Sequence, residues 1–533
     1  MSSDHPATAR WRPLERRSWV VLGLLTLFGA FLRAYQLDRQ FFVGDEWHSV
    51  FHTLQIGYWS TSVVYWLLEH TIGLWEWMIR GAYLALGVAI VFLVPAAVTG
   101  RFGLRIGATY AGFLAMAPFL VYYSRFARPY ALVAVLCLAS VWLFHRWWAR
   151  PSPKILGAYL TATALALALN VLHVPFVASP FLQTLASLRS HRSPEFRRLL
   201  TLGATVIFSC GVVLALPILY SLSFMVQTAD LGSRKAANLP RVLQLFFGTN
   251  DSWTTLAIAA LVVWGLAQKA LWRSAVVRGL LLASAIQVAV VFLVAPAGSG
   301  APHIFGRYAT PVLFVLLFLA SVGLADLTRR LGGCLHAAIP PALTVAVLMF
   351  LYLSGPVHKT LRWPNSWIPD ELLWRMAGEE NFYRQAVHAT SAFYRDLARE
   401  SPASFTLIEA PWDGNTNRNP FPLYQWVHRQ QILMGYPGDG WNVLWRPGPP
   451  FGLRSSRFVP LDQPEEVRRR GDFLVFHKAL HEEMRILTVP LDEEEIQARQ
   501  MGLEVLMQHA PEHYGPAVFE DAQIVVYRLD QEP

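Results

Sequence analysis

Residues 155–188 read ILGAYLTATALALALNVLHVPFVASPFLQTLASL, and the number of times this stretch crosses a bilayer decides the topology of the whole chain. A hydrocarbon core about 30 Å thick takes roughly 20 apolar residues per helix, so the stretch is long for one span and short for two. Asn170, His173 and Pro175 at its middle favour a tight hairpin, because Asn closes turns through its own side chain and Pro interrupts a helix. Basic residues choose between the alternatives, since cytoplasmic loops carry an excess of Lys and Arg. Arg10, Arg12, Arg16 and Arg17 precede the first apolar run. Arg101/Arg105, Arg146/Arg150/Lys154, Arg189/Arg192/Arg197/Arg198, Lys269/Arg273/Arg278 and Arg329/Arg330 follow in alternate loops. All five clusters share the cytoplasmic side with the N-terminus only if 155–188 crosses twice. Further apolar windows lie near 18–37, 81–99, 105–123, 129–148, 199–220, 254–272, 277–296, 308–326 and 336–355. The total is about eleven transmembrane helices, and an odd count puts the C-terminal part outside.

Composition agrees. Of the 533 residues, 54% are hydrophobic and 15% charged, against roughly 25% charged in ordinary globular chains, and the mean hydropathy is +0.34. A soluble protein of this size is excluded. The net charge of +9 is uneven: 25 of the 36 acids and 18 of the 45 basic residues lie after residue 355, leaving that part at −7 and the rest at +16. The positive excess sits in short loops between apolar runs, so it marks topology and not a nucleic-acid surface. Cys137, Cys210 and Cys334 lie in or beside apolar runs and build neither a disulfide framework nor a Cys-based metal site. The first apolar run ends in Arg33-Ala34-Tyr35 without a small-residue cleavage site and reads as a retained span.

The chain therefore divides into a membrane part, 1–355, and a C-terminal domain, 356–533. Among the outer loops, 38–80 is long and aromatic, with Trp47, Tyr58, Trp59, Tyr65, Trp66, Trp75 and Trp77, as expected of helices lying in the interface plane; others run over 221–253 and 297–307. Past Gly355, residues 370–400 have helical spacing, while 405–408, 473–476 and 524–527 read as short buried strands, which gives a small α/β domain.

Charge close to a bilayer is costly, and its position is informative. Asp45 and Glu46 follow the first span in Phe42-Val-Gly-Asp-Glu-Trp-His48. A carboxylate shielded by the aromatic loop rises in pKa and can take a proton from a hydroxyl; equally, Asp45 can cap the interfacial helix that follows. The outer end of the third span reads Tyr122-Tyr-Ser-Arg-Phe-Ala-Arg-Pro-Tyr130, and Arg307-Tyr308 opens the tenth span with His303 nearby. Arg125, Arg128 and Arg307 stand on the side where the positive-inside rule disfavours them. Guanidinium groups fork a phosphate, so the three can neutralise a lipid phosphate; the plainer reading is snorkelling to headgroups. His48 and His52 stand four apart, a spacing that can hold a divalent metal and that surface histidines also show. Glu69-His70 and Glu76 close the same loop and can reach the same pocket. Glu409-Ala-Pro-Trp-Asp413, after a strand, either caps a loop or faces a ligand. No GxxxxGK[ST] loop, strand-linked GxGxxG or G-x-S-x-G elbow is present, so nucleotide and serine-hydrolase chemistry have no support.

The Asp45-Glu46 pair after span one, the S-x-x-A-R-x-Y segment Ser124 to Tyr130 closing span three, and Arg307-Tyr308 opening a late span together resemble the GT-C superfamily. The likeness is strongest to its protein O-mannosyltransferase and lipid A aminoarabinose transferase branch, and covers the membrane part but hardly the tail. It implies a GT-C-like polytopic membrane fold with an extracytoplasmic C-terminal domain, in a bacterial inner membrane. It further implies an inverting glycosyltransferase with a polyprenyl-phosphate sugar donor, a lipid, glycan or protein acceptor and no required cofactor. Carried over, Asp45 is the base that deprotonates the acceptor, Glu46 its neighbour, and Arg128, Tyr130, Arg307 and Tyr308 fall on segments associated with the donor phosphate. Glu69-His70 falls where relatives show D-x-H-P-P-L-Y, with Thr71-Ile72 replacing the prolines. Arg125-Phe126 stand where relatives have Gln-Glu in S-Q-E-A-R, which removes a second carboxylate and speaks against a metal. Two other classes stay open: a transporter or flippase of lipid-linked saccharide, which calls for repeated halves or mid-span acids, and a binding protein with a degenerate GT-C-like site.

Overall fold

The computed structural model describes residues 13–35, 74–126, 128–188, 193–228, 239–249, 251–294, 302–334, 339–355, 391–401, 403–412, 430–437, 458–478 and 493–529, with 37, 71, 357, 358, 421, 424, 428, 453 and 454 besides. They form two compact units: residues up to 35 and from 80 to 358 make the first, and residues 74–79 with those from 391 onward make the second.

In chain order the first part holds α1 (Arg16–Ala34), the two-residue strand β1 (Leu74–Trp75), α2 (Glu76–Phe102), α3 (Leu104–Met116), α4 (Pro118–Ser124), α5 (Tyr130–Ala149), α6 (Pro153–Leu169), α7 (Val174–Ser187), α8 (Pro194–Thr228), α9 (Leu239–Phe247), α10 (Ser252–Leu266), α11 (Ala275–Val294), α12 (Pro302–Tyr308), α13 (Thr310–Cys334) and α14 (Ile339–Ser354). Every apolar window of the sequence is occupied by a helix. Among the described residues, five are long and apolar enough to cross a membrane alone, and α3 with α4, bent by 62°, make a sixth; α6, α7, α10 and α14 are shorter apolar helices. The protein is a multi-pass membrane protein. Residues 221–253, expected as a loop, carry the end of α8 and all of α9.

The stretch 155–188 is a hairpin. α6 stops at Leu169, the Asn170 side chain accepts the backbone N–H of Leu172 at 3.0 Å, and one 3-10 turn, Val171–His173, reverses the chain into α7, whose first turn holds Pro175. Asn and Pro act here as their chemistry dictates, one closing a turn and the other opening a helix where no N–H is needed.

Without a hydrophobic force between helices in lipid, close backbone approach decides which helices pair. α10 and α13 show it: a Cβ on Gly265 would fall 2.1 Å from the Leu319 carbonyl oxygen, and one on Gly323 2.1 Å from that of Leu261. α13 is the central helix, with Leu313, Phe314, Ala320 and Ser321 fully buried. Trp19, Leu24, Leu27 and Phe31 on α1 and Ile207 and Phe208 on α8 stay exposed, a surface that water would penalise and lipid does not.

The second unit contains α15 (Ala392–Leu397), β2 (Thr406–Ala410), β3 (Gln431–Tyr436), β4 (Leu453–Arg454), β5 (Phe458–Pro460), α16 (Pro464–Arg470), β6 (Phe473–His477), α17 (Glu493–Tyr514), β7 (Ala517–Glu520) and β8 (Ile524–Arg528). Six strands form one sheet in the order β5-β3-β2-β6-β8-β7; the pairs among β5, β3, β2 and β6 are parallel, and β8 is antiparallel to β6 and β7. β2 and β6 are the strands expected at 405–408 and 473–476, and β8 that at 524–527. Leu506, Ala510 and Tyr514 of α17 pack on Ile408, Leu474, Phe476 and Val525. The chain lays strands to one side of β2 and then crosses to the other, so its topological switch point lies between β2 and β6. Separately, β1 from the first loop pairs in parallel with β4, Leu74 against Leu453.

Candidate functional site

Three arginines of the membrane unit, Arg33, Arg125 and Arg307, stand at two helix breaks. At the first, between α3 and α4, Pro118 has no N–H to give the Leu114 carbonyl four residues back. Arg33 of α1, buried, takes that role: Nη2 donates to Leu114 O at 2.9 Å, Nη1 to Ala115 O at 2.9 Å and Gly29 O at 3.0 Å, and Nε to Ser124 Oγ at 3.1 Å. Gly87 of α2 leaves room for this, because a Cβ there would meet Ser124 Oγ at 2.1 Å. Arg125, also buried, donates through Nη1 to the carbonyls of Arg33 at 2.9 Å and Tyr35 at 2.7 Å, which are among the carbonyls an α-helix leaves open at its C-terminus. It holds the end of α1, from which the first loop departs.

The second break lies between α12 and α13. Pro311 leaves the Arg307 carbonyl without its backbone donor, and Thr310 Oγ1 donates to it at 2.8 Å. The Tyr308 carbonyl accepts from Gln287 Nε2 of α11 at 2.9 Å. The Arg307 guanidinium carbon then lies 5.1 Å from the Tyr308 ring centroid and 5.9 Å from that of Tyr130 at the start of α5, with Nη2 3.3 Å from Tyr308 Oη. Tyr130 packs edge-on to Tyr123 at 4.7 Å, and Tyr123 to Phe119 at 4.6 Å. Gly306 admits this approach of α12 to α4, since a Cβ there would stand 2.8 Å from the Phe119 ring. An arginine held over phenol faces at the end of a wall of aromatic rings is a cation whose planar charge can attract an anion.

A second polar cluster, which spacing along the chain did not reveal, lies at the switch point of the second unit. Glu409, near the end of β2, is fully buried; its Oε2 accepts from Tyr394 Oη at 2.7 Å and lies 2.7 Å from His477 Nε2 at the end of β6. Its Oε1 is 4.0 Å from His428 Nε2, beyond hydrogen-bond range. Tyr394 stacks on Tyr424 at 4.8 Å and on His428 at 5.2 Å. Burial pushes the His428 pKa down to about 3, so its ring is neutral and the contact with Glu409 is no ion pair. Glu409 is thus neither a loop cap nor exposed to a ligand: it belongs to a strand buried on both faces, where alternation gives no hint of a polar residue.

No protein-family model and no curated protein matches the sequence. Solved structures do. ArnT from Cupriavidus metallidurans bound to undecaprenyl phosphate aligns over 97% of this chain and 98% of its own at 17% identity and a TM-score of 0.44; its apo state aligns over 96% and 98% at 16% and 0.43. The oligosaccharyltransferase AglB from Archaeoglobus fulgidus, in complex with an inhibitory peptide and a dolichol-phosphate, aligns over 89% of this chain and 71% of its own at 12% and 0.41. At such values only this chain's own residues bear on its chemistry.

Of the residues singled out in the sequence, Arg307, Tyr308 and Tyr130 come together. Arg128 sits half-buried in the turn just before Tyr130, its backbone N–H donating to Phe126 O at 2.7 Å, and Arg125 gives its Nη1 to the carbonyls at the end of α1. His303 lies on α12 one turn before Arg307, with its side chain outside the described residues, as are Asp45, Glu46, His48, His52, Glu69 and His70 altogether. Among the described residues no group of three or more His, Cys, Asp or Glu side chains is placed to hold a metal.

Proposed function

We propose that the protein is an inverting glycosyltransferase of eleven crossings, at the outer face of a bacterial inner membrane and with its C-terminal domain outside. It moves a sugar from a polyprenyl-phosphate donor to an acceptor hydroxyl. The observation that supports this reading is the meeting of Arg307 and Tyr308 with Tyr130 beside a proline-made helix break, on two of the three segments whose motifs carry the family resemblance; the third, Asp45-Glu46, lies outside the described residues. In the reaction Asp45 takes the proton of the acceptor hydroxyl, the oxygen attacks the anomeric carbon, and the bond to phosphate breaks with its electron pair leaving on the lipid phosphate. Arg307 and Arg128 stabilise the charge that develops there, an electrostatic role in which removing one donor costs about 10²- to 10³-fold in turnover.

Incubating the purified protein with a panel of polyprenyl-phosphate sugars and acceptors, and following released polyprenyl phosphate by mass spectrometry, tests the reading. Asp45→Asn is expected to abolish release while leaving the melting temperature unchanged. Near-normal turnover by that variant removes Asp45 as base, and no release from any donor by the wild type removes the enzyme altogether.

A further inference from the structure

The carbonyl of Tyr308 is answered by a helix that carries none of the motif residues, and what lies behind that helix extends the site. Gln287 is fully buried in α11 and spends its Nε2 on Tyr308 O at 2.9 Å. Beside it stands His173, 1% exposed, the last residue of the turn between α6 and α7. The imidazole lies against the Gln287 side chain, yet neither His173 Nδ1 nor Gln287 Oε1 completes a hydrogen bond of normal geometry. Polar side chains withdrawn from water inside a membrane protein are costly and mark functional positions. This pair is reached from the site in two steps: Arg307 is one residue from Tyr308, and Tyr308 O is held by Gln287.

We propose that Gln287, backed by His173, is a positioning pair for the anion subsite. The amide fixes the backbone at the α12–α13 break, and through it the direction in which Arg307 presents its guanidinium to the phosphate of a polyprenyl-phosphate ligand. The inference rests on the function proposed above and goes beyond it, assigning two residues to donor affinity that touch no substrate. A planar fork gains its second hydrogen bond only when its plane is set, so loosening the break weakens phosphate binding without removing any group that meets the phosphate.

A double-mutant cycle separates this from a merely structural role. Binding of polyprenyl phosphate to the full-length protein is titrated from mixed micelles for wild type, Gln287→Met, Arg307→Ala and the double variant. Met keeps the length of Gln and loses the donor. The expected result is about a tenfold loss for Gln287→Met in the wild-type background, the size of one well-placed hydrogen bond, and less than twofold once Arg307 is absent. Gln287→Leu, likewise without a donor toward the carbonyl, is measured beside it in case the Met variant does not fold, and His173→Phe is expected to lose about threefold. Equal factors in both backgrounds, or no loss in either, overturn the pair while leaving the proposed function standing. A wild type that binds no polyprenyl phosphate overturns both.

Discussion

His428 is a buried base whose neutrality has a thermodynamic consequence. Its Nδ1 accepts the backbone N–H of Gln430 at 3.0 Å, so the ring proton belongs on Nε2, and burial holds the folded-state pKa near 3, against 6.5 for an ordinary histidine. Above pH 6.5 both folded and unfolded chains leave the ring neutral and His428 contributes no pH dependence. Between pH 6.5 and 3 the unfolded chain takes up a proton that the folded unit refuses, so stability falls as pH falls, by about 1.4 kcal/mol per pH unit for one such group. Urea midpoints of the second unit, read by pulse proteolysis of the full-length protein, are expected to drop as pH falls from 6.5 to 4, and His428→Phe to flatten that drop. An identical slope in the variant removes His428 as its source. Glu409 was visible in the sequence as an acid after a strand; Tyr394, His428 and His477 were not, because 15 to 83 residues separate the partners that the sheet brings together.

At the scale of elements, both breaks in the membrane unit follow one rule. Proline removes a backbone donor, lipid offers no water in its place, and a side chain from another helix answers the carbonyl. Pro118 is answered by Arg33 of α1, and the break before Pro311 by Thr310 and by Gln287 of α11. Replacing Arg33 with Met, of similar length and without donors, orphans the carbonyls of Leu114 and Ala115 together. The expected cost is on the order of 3 kcal/mol, read as a fall in melting temperature in detergent, with Arg33→Lys recovering part of it. Unchanged melting in Arg33→Met would mean that these carbonyls find other donors. The helices themselves were legible, since apolar runs between basic loops occupy every expected window. Their joints were not. Arg33 ends the first apolar run and Gln287 lies inside the run 277–296, while the carbonyls they serve lie 81 and 21 residues away, so nothing in local composition points to them. β3 escapes the sequence for a related reason: Gln431–Tyr436 has one β-branched residue, Ile432, where β8 has Ile524, Val525 and Val526 in a row.

For the whole molecule the consequence is a division of solvents. The first unit turns apolar residues outward, toward lipid, while the second closes a parallel-centred sheet under α17 and carries most of the acids, as a unit in water must. The side of the bilayer on which that second unit lies depends on how many times the chain crosses, and hence on 155–188. Asn170 and the turn Val171–His173 reverse the chain so that Tyr159 of α6 and Phe181 of α7 both meet Phe144 of α5, at 5.9 and 4.9 Å; a double crossing would then put the α5–α6 turn and the end of α7 on one face of the membrane. In a variant lacking Cys137, Cys210 and Cys334, single cysteines at Ser152 and Ser187 are therefore expected to react with a membrane-impermeant maleimide only after the inner membrane is permeabilised. A single cysteine at Ser404, exposed just before β2, should react without that treatment. If Ser187→Cys labels in intact spheroplasts while Ser152→Cys does not, the stretch crosses once, the count becomes even, and the second unit would lie in the cytoplasm, on the side opposite to the proposed chemistry.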